Sequence, residues 1–291
     1  MKNFTERAYA KVNFNLRVLP SRTDGYHSIE SIFQTVDLYD ELEVTLSEST
    51  GCFVECNSLK LPLQNTLTNA YDAFCSVAGV KVPGVTVNLK KGIPAGGGLG
   101  GGSSDAAALI RVLSKICRVN LDAKQLDYIA STTGSDVFFF MHCDKDGKGC
   151  ALVSGRGEVI KKIPSRRDLY LVLVFPEIFS STKEAYQLVD KYLESGIDND
   201  FVILEELEEE YKKNPSEWRF KNTFTPSLCD VYSDLSTALG TLKKCGADFC
   251  DMSGSGSTVF GIFAKKKGEE VSSLARTSCE TLAKNWRVVL A

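Results

Sequence analysis

Seven of the chain's 23 glycines fall in the eleven residues from Gly92 to Gly102. The run reads Pro94-Ala95-Gly96-Gly97-Gly98-Leu99-Gly100-Gly101-Gly102-Ser103-Ser104-Asp105. Glycine lets backbone N–H groups approach a ligand with no Cβ in the way, and a helix start adds partial positive charge. The hydroxyls of Ser103 and Ser104 can bond phosphate oxygens or a phosphate-bound metal. The chemistry is that of a phosphate cradle. Two further sets of residues carry reactive groups. Lys11, Asn13 and Asn15 alternate with Val12, Phe14 and Leu16, which puts the three polar side chains on one face of a strand. Asp136 lies in Gly134-Ser135-Asp136-Val137-Phe138, a polar turn that enters an apolar run.

The elements that must position these groups follow from periodicity and punctuation. Lys11 to Val18 reads as a strand, followed by a turn at Asp24-Gly25 and strand-like runs at Ser31 to Leu38 and Leu42 to Leu46. Asn65 to Val77 reads as a helix and Val85 to Leu89 as the strand that leads into the glycine loop. After the loop, Ala106, Leu109, Ile110, Leu113 and Ile116 recur at helical spacing over Ser103 to Cys117, with Ser103, Ser104 and Asp105 as its N-terminal caps. Asp122 to Ser131 is a further helix. Pro164, in the charged stretch Lys161 to Arg167, marks a division into residues 1–164 and 165–291. The second part predicts a buried strand at Leu169 to Phe175 and helices at Thr182 to Glu194, Phe201 to Lys213 and Ser227 to Lys243. It ends with strands at Ala247 to Met252 and Thr258 to Ala264, a helix at Val271 to Ala283 and a strand at Trp286 to Leu290. Glu205 to Lys213 holds five glutamates and two lysines, and reads as a solvated helix face with Glu208–Lys212 and Glu209–Lys213 pairs.

Length and composition bound the answer. At 291 residues, 43% hydrophobic and 24% charged, the chain is globular and long enough for two domains. A net charge of -3 gives no basic excess for nucleic acid or an anionic membrane surface. No targeting segment or bilayer-length apolar run is present, so the expected location is cytoplasmic. The ten cysteines form no paired C-x-x-C knuckle, and only His27 and His142 are available beside them. Buried reduced thiols are expected. Asp144-Lys145-Asp146-Gly147 lacks the spacing and the closing glutamate of a calcium loop.

Several phosphate loops compete for the glycine run. Walker A needs a lysine after its last glycine, where this chain has Ser103. Gly96-x-Gly98-x-x-Gly101 matches the dinucleotide fingerprint formally, but the acid nearest the required distance, Asp122, starts a helix. The protein-kinase H-R-D and D-F-G signatures are absent. The run resembles the P-x-x-x-G-L-G-S-S-A loop of the GHMP small-molecule kinases. Ala10-Lys11-Val12-Asn13-Phe14-Asn15-Leu16 with Asp24-Gly25-Tyr26-His27 resembles the first motif of that family, and Met252-Ser253-Gly254-Ser255-Gly256-Ser257 the third.

The resemblance covers nearly the whole chain and implies an α+β, two-domain GHMP kinase fold. The N-terminal domain would be like ribosomal protein S5 domain 2 and the C-terminal domain ferredoxin-like, with the site between them. It implies ATP and Mg²⁺, and a small-molecule alcohol as acceptor. Asp24-Gly25-Tyr26-His27, the extra glycines and Gly134-Ser135-Asp136-Val137 resemble the branch that phosphorylates the 2-hydroxyl of a cytidine-diphosphate-linked methylerythritol. Mevalonate or homoserine kinases, and a nucleotide-binding module without chemistry, are the alternatives. By resemblance Asp136 accepts or orients the hydroxyl proton and Lys11 stabilises developing charge. Asn65, Pro94, Leu99, the loop glycines and Ser103 and Ser104 would hold the nucleotide; the metal ligands stay open. Asn13, Tyr26, His27, Asp136, Thr182 and Tyr186 would hold the acceptor, with Tyr26 stacked on the pyrimidine and His27 bonded to its edge. Tyr186 reads equally as a core tyrosine. The chain departs from many relatives at Phe138, where they have proline. No nucleic acid, membrane or protein partner is implied.

Overall fold

The computed structural model describes residues 3–178, 181–194, 200–265 and 273–291. Its first sheet is built on two long antiparallel strands, β1 (Asn3–Ser21) and β2 (His27–Ser47). The distal half of β2 pairs with β4 (Gly84–Lys90), which pairs in parallel with β3 (Cys52–Cys56). The proximal half of β2 pairs with β5 (Cys150–Gly155), which pairs with β6 (Val159–Lys162). The helices α1 (Thr66–Val77), α2 (Gly101–Cys117), α3 (Ala123–Thr133) and α4 (Ser135–Met141) complete this part. Buried side chains of α1 and α2 (Leu67, Phe74, Leu109 and Leu113 among them) share one core with Leu42, Val44 and Val87 of the sheet.

β2 corrects the two-strand reading of Ser31 to Leu46. The polar break at Tyr39-Asp40-Glu41 lies inside a continuous strand, because Asp40 is fully buried with partners of its own. Its Oδ1 accepts from the backbone N–H groups of Gly92 (2.7 Å) and Ile93 (2.8 Å), and its Oδ2 pairs with Lys91. The strands β3, β5 and β6 were not legible in the sequence.

The second sheet has the order β10-β7-β9-β8, entirely antiparallel, from β7 (Leu169–Phe175), β8 (Phe249–Met252), β9 (Val259–Ala264) and β10 (Arg287–Leu290). In chain order these are the first, second, third and fourth strands, so the order is 4-1-3-2 with helices after the first and third. That is the ferredoxin-like β-α-β-β-α-β arrangement. The connecting helices are α5 (Thr182–Glu194), α6 (Leu207–Lys212), α7 (Phe224–Val231), α8 (Ser233–Lys244) and α9 (Ser273–Leu282). Val271, where the last predicted helix begins, lies outside the described residues.

Two helix predictions need correction. Phe201 to Glu206 is not helical; α6 is only the Leu207–Lys212 end. The opening Phe-Val-Ile is aromatic and β-branched, poor helix chemistry that periodicity alone does not weigh. Ser227 to Lys243 is two helices that meet at Tyr232, whose φ of -121° and ψ of 98° are extended. The glutamate cluster is also not a plain solvated face. Glu210 is buried and accepts from the Arg219 backbone N–H at 2.7 Å, and its carboxylate pairs with both Arg219 and Lys213. Lys212 pairs with Glu209 and Glu208, so the Glu208–Lys212 pair forms and the expected Glu209–Lys213 pair is replaced.

All ten cysteines are free thiols, but only Cys150 is fully buried, and Cys75 is exposed. Burial pushes the thiols of Cys52, Cys143 and Cys150 up to about 12, which makes them poor nucleophiles and poor metal ligands. Among the described residues no helix is long and apolar enough to cross a membrane.

The two sheets meet along β1. Leu16 donates its N–H to Lys221 O (2.9 Å) and accepts from Thr223 N–H (2.9 Å), so the 221–223 segment runs along the strand. Below it, Leu16, Phe33, Phe139, Val172, Val174 and Phe224 share one core. The chemistry-bearing face of β1 lies at this junction.

Candidate active site

Lys11 stands on β1 with 3% of its surface exposed, unlike a solvated strand lysine. Its Nζ donates to Asn13 Oδ1 (2.8 Å) and to the Gly98 carbonyl (3.0 Å), and lies 3.5 Å from Asp136 Oδ2. The Phe33 ring closes a further side, 4.7 Å away. Burial outweighs the attraction of Asp136 and moves the ammonium below the ordinary lysine range. Asn13 is fixed in turn: its amide donates to Ser31 Oγ (3.1 Å), and its backbone N–H donates to Ser253 Oγ (3.3 Å). Asn15, on the same face, serves structure instead, donating to Glu30 O and accepting from Lys221 N–H.

Asp136 is in the first turn of α4, after Gly134, and a third of its side chain reaches solvent. The polar turn of the sequence reading is thus the start of a short helix. Phe138 lies in that helix, and its carbonyl accepts from His142 N–H at 3.2 Å.

The glycine loop is a backbone wall. Gly96, Gly98 and Gly100 alternate with Gly97 and Leu99, and all three have φ between 70° and 74°. That left-handed backbone costs an L residue about 1–2 kcal/mol. A Cβ on Gly98 would lie 2.0 Å from the Ser253 carbonyl oxygen, and one on Gly254 2.9 Å from the Gly98 oxygen. The glycine loop and the Ser253-to-Ser257 loop therefore pack backbone on backbone. Ser253 Oγ donates to Gly98 O at 3.0 Å, and Thr258 N–H to Gly97 O at 3.3 Å. The latter segment is part of the site, not a free hairpin turn.

Helix α2 begins at Gly101, two residues earlier than predicted, and its N-cap Gly100 makes no side-chain cap bond. Ser103, Ser104 and Asp105 are consequently inside the first turns and do not cap it. Asp105 is buried and pairs with Lys91 at 3.1 Å, while Lys91 also pairs with Asp40. This Asp40–Lys91–Asp105 group ties β2, the entry to the loop and α2 together, and so holds both ends of the loop. Burial, reinforced by Asp40, raises the Asp105 carboxyl to about 8. The sequence reading missed this triad because its members lie 40, 91 and 105 residues along the chain.

The loop separates two cavities. One, about 370 Å³, is lined by Leu61, Asn65, Leu67, Lys91, Pro94, the whole run Gly96–Ser103 and Asp105. Asn65 caps α1 there: its Oδ1 accepts from Leu67 and Thr68 N–H groups and its amide donates to Pro62 O. Ser103 lines this cavity; Ser104 is buried and does not. The other cavity, about 350 Å³, is lined by Lys11, Asn13, Asp136, Thr182, Tyr186, Phe224 and Ser255. Gly96, Gly98 and Gly100 line both.

Tyr26 and His27 line neither cavity. The Tyr26 ring is half exposed with the Arg156 guanidinium 3.6 Å over it. His27 stacks on Tyr186 with centroids 4.9 Å apart, and through that ring borders the second cavity. Tyr186 also meets Phe224 edge-on, and burial raises its phenol above the ordinary range. Thr182 Oγ1 lies 3.3 Å from Ser255 Oγ. Sequence reasoning did not find Asp190, which meets His27 and stands eight residues after Thr182 on α5; helical spacing was the available signal.

The chain resembles known proteins over nearly its whole length. The N-terminal domain of the GHMP kinases matches residues 65–144, and the C-terminal domain of the same family matches residues 192–280. The chain is 38% identical to a 4-diphosphocytidyl-2-C-methyl-D-erythritol kinase of Treponema pallidum, over 98% of this chain and 97% of that one. It is 33% identical to the enzyme of the same name from Chlorobaculum parvum, over 99% and 96%. A crystal structure of 4-(cytidine 5'-diphospho)-2C-methyl-D-erythritol kinase superposes with a TM-score of 0.78 at 30% identity, covering 99% of this chain and 98% of that one. Homoserine kinase from Cytophaga hutchinsonii shares the fold, with a TM-score of 0.68 at 16% identity over 100% and 94%.

Proposed function

The chain belongs to the GHMP kinase family, and on that premise we propose that it is an ATP-dependent kinase of 4-diphosphocytidyl-2-C-methyl-D-erythritol. It phosphorylates the 2-hydroxyl of the methylerythritol part, in the methylerythritol phosphate route to isoprenoid precursors. The observation that carries the reading is the shared wall: Gly96, Gly98 and Gly100 face both cavities, with Lys11 and Asp136 at the junction.

ATP fits the cavity beside α2. Backbone N–H groups of the loop and the helix start suit its phosphates, and Leu61, Leu67 and Asn65 suit its base. Among the described residues no cluster of three His, Cys, Asp or Glu side chains could hold a metal. Mg²⁺ fits such a donor set, since it keeps several waters and takes phosphate oxygens with few protein ligands. Of the two serines, Ser103 lines this cavity and suits the ion; Ser104, being buried, does not. When bound, the ion neutralises phosphate charge.

The acceptor occupies the second cavity. Asp136 takes or orients the proton of the 2-hydroxyl, and Lys11, bonded to the Gly98 carbonyl and 3.5 Å from Asp136, stabilises charge that develops between the two cavities. Asn13 holds Lys11 in place. Thr182, at the start of α5, suits the substrate diphosphate, and Tyr26, His27 and Tyr186 suit its pyrimidine. Residues 1–164 then supply the nucleotide side and residues 165–291 close the acceptor side.

A coupled ADP-release assay with ATP, Mg²⁺ and the cytidyl substrate tests the reading. Turnover is expected with that substrate and not with mevalonate or homoserine. Turnover no greater than that of Asp136→Ala would show that the site lacks the proposed chemistry. Equal rates with mevalonate would move the substrate elsewhere in the family.

A further inference from the structure

Thr182, Tyr186 and Asp190 recur at intervals of four on α5 and so share one face. The first two border the acceptor cavity, and the third reaches His27 on β2, with Asp190 Oδ1 2.8 Å from His27 Nε2. The imidazole is held on two sides: its face lies on Tyr186 at an interplanar angle of 26°, and its Nε2 edge meets the carboxylate. Its side chain is 8% exposed, and Nδ1 has no hydrogen-bond partner among the described residues. A carboxylate only accepts, so the short contact needs the proton on Nε2. In the neutral ring Nδ1 is then a bare acceptor.

We propose that Asp190 is a positioning residue that fixes the hydrogen-bonding polarity of His27, and thereby favours an amino-bearing pyrimidine over a keto-bearing one. The inference rests on the reading that the substrate base meets His27. An acceptor there matches the exocyclic amino group of cytosine. The keto oxygen of uracil at the same place sets lone pair against lone pair, and a site built for a donor rejects a partner that lacks one. Asp190 touches no reacting atom and acts only through the imidazole.

The test compares kcat/KM for the cytidyl substrate with that for its uridyl counterpart, at pH 8 and saturating ATP. In Asp190→Asn the side-chain amide can donate to Nε2, which moves the ring proton to Nδ1. That variant is expected to lose about tenfold of the cytidyl-over-uridyl preference, with the KM for ATP within twofold of the parent. Asp190→Glu is expected to restore most of it. Nitrogen-15 spectra of the imidazole should place the proton on Nε2 in the parent and on Nδ1 in Asp190→Asn. An unchanged preference in Asp190→Asn, with His27→Ala altering it, would overturn the role of Asp190 alone. An unchanged preference in both variants would overturn the placement of the base against His27. A parallel loss of ATP affinity would make Asp190 a structural residue and also overturn the proposal.

Discussion

Lys11 makes three polar contacts from a buried position, and each has a different consequence when it is removed. The bond to Asn13 is structural, the bond to Gly98 O ties the strand to the loop, and the approach to Asp136 is electrostatic. Lys11→Met keeps the stem packing and deletes the charge. Its kcat is expected to fall roughly 100- to 1000-fold, the scale for losing a preorganised group aimed at developing charge. The KM for ATP should change little, because Lys11 lines the acceptor cavity and not the other. A kcat within tenfold of the parent, by the ADP-release assay, would remove Lys11 from the chemistry. At this scale the sequence was informative because the alternation of Lys11 to Val18 needs only neighbours to be read. What it could not supply was partnership: Asp40, Lys91 and Asp105 form one buried group, yet nothing local marks Asp105 as anything but a cap.

The loop and its helix make opposite demands on their glycines. At Gly98 the backbone is left-handed and a Cβ would meet the Ser253 carbonyl at 2.0 Å, so Gly98→Ala must displace one loop from the other. About 2–4 kcal/mol of stability is expected to be lost, from backbone strain plus the clash, with at least tenfold weaker use of ATP. Gly102 has ordinary helical backbone and open space to 3.4 Å from Thr66 Oγ1, and it lines the nucleotide cavity. Gly102→Ala should therefore gain up to about 1 kcal/mol of helix propensity while raising the KM for ATP. Thermal melts and ATP titrations of the two variants check this. Equal melting temperatures would refute the distinction. Element ends and breaks were the least legible features of the fold. α2 starts among glycines that local propensity assigns to a loop, because its first turn is held by Lys91 and Asp40 from other elements. α7 and α8 separate at Tyr232 although the apolar spacing continues through it.

Across the whole molecule, buried carboxyls with opposite shifts set how stability depends on pH. Burial alone would raise Glu210, but Arg219 and Lys213 outweigh it and bring the carboxyl down to about 2. Its folded value is below the unfolded one, so its contribution is present at neutral pH and is lost as pH falls from about 4.5 towards 2. With Glu210 buried but Arg219 and Lys213 half exposed, the contribution at pH 7 is roughly 2 kcal/mol. Asp251 and Asp105 run the other way: burial raises them to about 6 and about 8. For these the folded state holds the proton more tightly, so stability declines as pH rises from about 4 through those values. Glu210→Gln should lower the melting temperature by about 4 °C at pH 7 and by much less at pH 3. Asp105→Asn, which removes the ionisation and leaves the shape, should flatten the decline between about pH 4 and 8. Melting curves of the three proteins from pH 3 to 9 measure both arms at once. Because Glu210 lies on α6 and Asp105 on α2 under the nucleotide loop, the acid arm should leave the KM for ATP unchanged. The Asp105 arm should shift it, since the same carboxyl holds Lys91 against the end of the phosphate cradle.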